Sequence, residues 1–205
     1  MAIISGTNSS ETLVGTNADD LITGQEGDDT LSGGGGNDAL YGYMGSSLIF
    51  GGAGNDTLTG SIYNSNTLVG GAGDDLYDAS GVEDIIIESV NEGRDTILTS
   101  TDFSIRNYIN IENIVLKKVD YSTATYAEGN AVANSIVGND NGNILIGLQG
   151  SDTIVGGTGD DLIFGAEATV MIGTAVFSGV DLSSLITPDA DGDLGFLRTL
   201  SDGSS

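Results

Sequence analysis

Glycine recurs every nine residues along the first third of the chain, at Gly6, Gly15, Gly24, Gly33, Gly42, Gly51 and Gly60. After a single-residue slip within 61–66 the series resumes at Gly70, and a second array runs Gly129, Gly138, Gly147 and Gly156. An internal repeat constrains the fold strongly, because each copy forms the same small unit and buries its apolar face against its neighbours. The eighth residue of the frame is aliphatic or aromatic: Leu13, Ile22, Leu31, Leu40, Ile49, Leu58, Leu68 and Tyr77, then Ile136, Leu145, Ile154 and Ile163. A period of nine suits neither an amphipathic helix nor a long hairpin strand. It suits a tight turn of about six residues followed by a short strand with one side chain facing inward.

The fullest copies read Gly33-Gly34-Gly35-Gly36-Asn37-Asp38-Ala39-Leu40-Tyr41 and Gly51-Gly52-Ala53-Gly54-Asn55-Asp56-Thr57-Leu58-Thr59. Gly70-Gly71-Ala72-Gly73-Asp74-Asp75-Leu76-Tyr77-Asp78 and Gly156-Gly157-Thr158-Gly159-Asp160-Asp161-Leu162-Ile163-Phe164 follow the same pattern. Glycines permit backbone angles that turn carbonyl oxygens toward a common point. The aspartate at position six supplies a hard anionic oxygen, the donor type calcium prefers. A polar-turn motif in some other all-β protein would not explain why Asp recurs at position six while position eight stays apolar.

These copies resemble the RTX (repeats-in-toxin) family of calcium-binding nonapeptides. The resemblance implies an all-β, right-handed parallel β-roll, a solenoid in which two nonapeptides make one coil. Each calcium ion then lies between loops stacked on the same edge, which are every second repeat. The implied ligands are Asp20, Asp38, Asp56, Asp75, Asp29, Asp152 and Asp161, with the turns opened by Gly33, Gly51 and Gly70. Sixth positions sort into two columns: Asp20, Asp38, Asp56 and Asp75 on one edge; Glu11, Asp29, Ser47 and then Ser65 or Asn66 on the other. Ions are expected to bridge the all-aspartate column, with weaker sites opposite beyond Asp29. In the second array Asn134 stacks with Asp152 and Asn143 with Asp161, a mixed set expected to bind more weakly.

Charge agrees with a cation-dependent chain. Acidic residues number 30 against 5 Lys+Arg, a formal charge of −25, so a compact state repels itself unless cations bind. Nucleic acid is excluded as a partner, since phosphate binding needs clustered Lys and Arg. The absence of Cys and His removes thiol nucleophiles, structural zinc, imidazole catalysis and disulfides. No G-x-S-x-G elbow occurs, and Gly52-Ala53-Gly54 lacks the third glycine of a dinucleotide loop. The expectation is a non-enzymatic, secreted calcium-binding module. The alternatives are a calcium-dependent adhesin or carbohydrate-binding module, with Tyr41, Tyr43 and Tyr63 facing an extracellular polysaccharide, or the accessory domain of a secreted hydrolase or mannuronan epimerase.

The chain divides into a first repeat block (6–78), a β-rich connector (79–128), a second block (129–165) and a tail (166–205). The connector carries strand-like runs at Ile85–Ile87, Thr96–Leu98 and Ile109–Leu116, and four of the five basic residues, Arg94, Arg106, Lys117 and Lys118. It reads as wider coils continuing the roll in preference to a recognition patch. The tail resembles the uncleaved type I export signal of RTX proteins, although it ends in Asp202-Gly203-Ser204-Ser205 without an apolar terminus. Asp189-Ala190-Asp191-Gly192-Asp193 matches an EF-hand poorly, with Leu200 where the terminal glutamate belongs. No run approaches the ~18 apolar residues of a membrane helix.

Overall fold

The computed structural model describes residues 1–81, 84–118 and 124–165, together with the backbone of two strands at 169–172 and 175–178. Strands alternate between two walls as the chain advances. The odd-numbered strands β1 (Ile3–Ser5), β3 (Leu21–Thr23), β5 (Ala39–Tyr41), β7 (Thr57–Thr59), β9 (Leu76–Asp78), β11 (Thr96–Thr99), β13 (Asn113–Leu116), β15 (Ser135–Val137) and β17 (Thr153–Val155) form one nine-stranded sheet. The even-numbered ones form two sheets. The first holds β2 (Thr12–Val14), β4 (Thr30–Gly35), β6 (Leu48–Ala53), β8 (Thr67–Ala72) and β10 (Ile85–Ile87). The second holds β12 (Phe103–Ser104), β14 (Tyr126–Glu128), β16 (Ile144–Ile146) and β18 (Leu162–Phe164), and ends in β19 (Thr169–Ile172) and β20 (Ala175–Ser178).

Pairing is parallel until the end, where β19 runs antiparallel to β18 and β20 to β19. Register places equivalent repeat positions side by side, so Ile22, Leu40 and Leu58 are neighbours on β3, β5 and β7. The result is a parallel β-roll. A three-residue strand turns only its middle side chain inward, and that residue is the eighth of the frame. Ile22, Leu31, Leu40, Ile49, Leu58, Leu68, Tyr77, Ile136 and Leu145 are fully buried, while the flanking Thr57 and Thr59 are half-buried. Each buried aliphatic side chain contributes on the order of 1.5–3 kcal/mol.

The strands β4, β6 and β8 are longer than the repeat predicts, at six residues each. Their glycines stay in the ladder, Gly34 beside Gly52 and Gly52 beside Gly71, because successive turns have nearly the same backbone path and stack as closely as the strands do.

The connector adds coils to the same stacks: β10 docks on β8, β11 on β9, and β13 links β11 to β15. Its core is filled by Ile97, Ile105, Ile111, Ile114, Leu116 and Ala124. The strand expected over Ile109–Leu116 begins only at Asn113. Before it the chain turns, with Tyr108 N–H donating to Ile105 O at 2.8 Å and Ile111 N–H to Tyr108 O at 3.2 Å, and Ile109 is left exposed. Three of the four connector cations pair with carboxylates of the roll: Arg106 with Glu128, Lys117 with Asp78 at 2.6 Å, and Lys118 with Asp140 at 2.8 Å. The Asp189–Asp193 stretch and the rest of the tail beyond 178 lie outside the described residues.

Candidate metal centre

Two edges join the walls. On the first edge the turns Gly15–Asp20, Gly33–Asp38, Gly51–Asp56 and Gly70–Asp75 lead into the nine-stranded sheet. Their aspartates form a ladder. Asp20 N–H donates to Asp38 Oδ1, Asp38 N–H to Asp56 Oδ1 and Asp56 N–H to Asp75 Oδ1, each at 2.7 Å. The ladder continues past the repeats, with Asp75 N–H on Asp95 Oδ1 and Asp95 N–H on Glu112 Oε2, both at 2.9 Å. The structure therefore brings Asp20, Asp38, Asp56 and Asp75 into one column.

In three of these carboxylates the second oxygen has no partner. Oδ2 of Asp38, Asp56 and Asp75 is buried without a hydrogen bond, and so is Oδ2 of Asp29, Asp84 and Asp152. Leaving a charged oxygen buried and unpaired is costly. These atoms face the glycine that opens their own turn. A Cβ added at Gly33 would collide with Asp38 Oδ2 and lie 2.6 Å from Gly51 O; one at Gly51 would collide with Asp56 Oδ2 and lie 2.6 Å from Gly70 O. A cradle lined by an anionic oxygen and a glycine carbonyl, with no nitrogen or sulfur donor, fits calcium and not a thiolate-seeking or imidazole-seeking metal.

The residue after the opening glycine controls whether the cradle is open. Gly34, Gly52 and Gly71 have φ of 105°, 117° and 102°. In the turn before them Thr16 donates both its N–H and its hydroxyl to Asp20 Oδ2, at 2.7 and 2.8 Å. Asp20 is thereby satisfied within its own turn, and the hydrogen bond from the Ala2 N–H holds its carboxyl below the usual range. It stands at the head of the column without the unpaired oxygen of its successors.

On the second edge the ladder runs from Glu11 N–H to Asp29 Oδ1 (2.9 Å), Asp29 N–H to Ser47 Oγ (3.3 Å), Ser47 N–H to Asn66 Oδ1 (3.0 Å) and Asn66 N–H to Asp84 Oδ1 (2.9 Å). Asn66, rather than Ser65, is thus the sixth residue of the slipped repeat. In the second array Asn134 N–H reaches Asp152 Oδ1 at 3.0 Å and Asn143 N–H reaches Asp161 Oδ1 at 2.9 Å. The side-chain amides of Asn134 and Asn143 donate to Asn130 Oδ1 and Asn139 Oδ1, each at 3.1 Å, so these two turns are closed by their own asparagines.

Burial raises the carboxylic pKa along the first edge and at Asp29 on the second. Asp29 and Asp38 lie above the usual range for this reason, Asp56 is pushed up to about 6, Asp75 to about 7 and Asp95 to about 6. Asp84, Asp95, Glu88 and Glu112 were not expected from the repeat frame. Ladder bonds of equal length join residues 20 apart at Asp75–Asp95 and 17 apart at Asp95–Glu112, which hides them from a search at fixed period.

Buried carboxylates and glycine carbonyls stacked along the edge of a parallel roll define a calcium-binding β-solenoid. The RTX calcium-binding nonapeptide repeat matches the chain in four copies, at residues 5–40, 41–62, 64–86 and 137–168, and the chain belongs to that family. No curated protein matches it.

Proposed function

We propose that the chain is an extracellular module that is exported unfolded by a type I system and folds when calcium fills the cradles of its first edge. The observation that carries this reading is the run of buried, unpaired Oδ2 atoms at Asp38, Asp56 and Asp75. Those three residues, with the turns at Gly33, Gly51 and Gly70, are the main ligands; Asp29, Asp152 and Asp161 serve weaker sites, and Asp20 serves the weakest of its column. With a charge of −25 and strands mostly of three residues, the calcium-free chain has little to hold it together. Each ion offsets two charges and links two coils, so binding free energy becomes folding free energy. Low cytosolic calcium keeps the chain exportable, and roughly millimolar calcium outside matches the weak extracellular class of sites.

Circular dichroism during a calcium titration tests this. Parallel-β signal should appear with calcium and vanish in excess chelator; full β-structure in chelator would overturn the reading.

A second reading rests on the tyrosines. The rings of Tyr41 and Tyr43 stack at 6.0 Å beside the second edge, and Tyr43 and Tyr63 are exposed. Such rings suit the apolar face of a sugar, and binding to a glycan array with calcium but not with chelator would support an adhesin.

A further inference from the structure

On the first edge, the residue that opens each turn is Gly15, Gly33, Gly51 and Gly70 in order. After β10 it is Glu88, and the pairing of Ile87 with Val69 sets Glu88 next to Gly70 in the stack. In the preceding coils the carbonyl at this place closes the cradle: Gly51 O beside Gly33 and Gly70 O beside Gly51. At Gly70 the arrangement differs. The Glu88 carbonyl accepts a hydrogen bond from Asn110 Nδ2 at 2.9 Å, and the Glu88 side chain enters the cradle. A Cβ on Gly70 would collide with Asp75 Oδ2 and the Tyr77 hydroxyl and lie 2.5 Å from Glu88 Oε1, so three oxygens converge there.

Asp95 completes the group. Carboxylate oxygens of Asp75, Glu88 and Asp95 lie within 4.8 Å of one another. Asp75 is 2% exposed and Asp95 1% exposed, and both Asp75 Oδ2 and Glu88 Oε2 are buried without a partner. Tyr77 is a second departure from the repeat, being the one aromatic residue at a position-eight site otherwise filled by Leu or Ile. Its hydroxyl reaches from the core to donate to Glu88 Oε1, which fixes the carboxylate toward the cradle.

We propose that Asp75, Glu88 and Asp95, with the Tyr77 hydroxyl, form a calcium site of a different make from the glycine-carbonyl cradles, and the tightest on the chain. Calcium affinity rises with the number of charged ligands. This cluster presents three carboxylates, where an ordinary cradle has an aspartate and a glycine carbonyl. The site ties β8 and β9 of the repeat block to β10 and β11 of the connector, so it is the first to fill and the last to release. The inference rests on the calcium reading above.

Terbium(III) is the probe, because the chain has no tryptophan and Tyr77 touches the site, making it a built-in antenna. In the full chain, the tightest terbium class should be tyrosine-sensitised and the hardest to displace with calcium. Glu88→Gln keeps the shape and removes the charge. It should weaken that class by at least about tenfold while leaving the weaker calcium sites, counted by calorimetry, in place. Asp95→Asn, which keeps an acceptor for the Asp75 N–H, should do the same, whereas Asp38→Ala should spare the tight class and lose weaker ones. An unchanged tight class in both Glu88→Gln and Asp95→Asn, with weaker sites present, would overturn this site alone. A wild-type chain that takes up no calcium would overturn the calcium reading itself.

Discussion

Thr16 and Gly34 hold the same place in successive turns of one edge, yet they leave their aspartates in different states. Thr16 turns its N–H onto Asp20 Oδ2, while Gly34, at φ of 105°, leaves Asp38 Oδ2 buried and unpaired. The left-handed conformation thus frees an anionic oxygen for a cation, and glycine reaches it at the lowest steric cost. Gly52→Ala should therefore destabilise the roll by about 1–3 kcal/mol. Its φ is 117° and its Cβ would collide with Gly34 O. Urea denaturation in saturating calcium measures this, and a neutral result would show that the turn has room to relax. The aspartate itself is tested by Asp38→Ala against Ser47→Ala. Asp38 stands between Asp20 and Asp56 in the charged column, whereas Ser47 offers only a neutral hydroxyl to the Asp29 N–H. Calcium affinity of the glycine-carbonyl cradles should fall by at least about tenfold for Asp38→Ala and barely move for Ser47→Ala. Equal losses would show that the two edges bind alike.

The three-residue strands of the repeat blocks depend on one inward residue each. Leu58 on β7 sits between Leu40 and Tyr77 with no exposure, and no other side chain of its strand is fully buried. Leu58→Ala should cost about 2–5 kcal/mol in chemical denaturation, and Thr57→Ala should be tolerated. The reverse order would place the inward frame one residue away. This layer of the fold was legible in the sequence because strand alternation fixes which residue of three faces inward, and the glycine period fixes where each strand lies. The aspartate column was legible for the same reason. In the connector the strands at Ile85–Ile87 and Thr96–Thr99 were legible as apolar runs, but the residues of its ladder were not, because its turns differ in length. Asp95 and Glu112 join the ladder through the stacking of coils rather than through chain count, and Ile109, which a run of β-branched residues placed in a strand, lies exposed in the turn that precedes Glu112. Glu88 directly follows the run Ile85–Ile87, and only the register of β10 on β8 sets it beside Gly70.

At the scale of the whole molecule, protons and calcium compete for the same carboxylates. Burial, the largest cause in each case, raises Asp56 and Asp95 to about 6, Asp75 to about 7 and Glu88 to about 8, from ordinary values of 3.8 for Asp and 4.5 for Glu. The calcium-free roll therefore binds more protons than the unfolded chain between those limits, and its stability falls as pH rises through that window. The protonated contribution is fully present below about pH 4 and lost above about pH 8. Calcium acts in the opposite sense. It binds the ionised carboxylates and expels any protons they hold, so its affinity for the folded roll itself should rise over the same range. A chain that folds from the unfolded state, where carboxylates are already ionised above about pH 5, has few protons to release, so the calcium midpoint for folding should stay nearly level between about pH 6 and pH 8 and rise below about pH 5. Calorimetry in buffers of different ionisation enthalpy counts the protons. Proton release on calcium addition between about pH 6 and pH 8 would mean instead that a folded, protonated calcium-free roll precedes binding, against folding coupled to calcium.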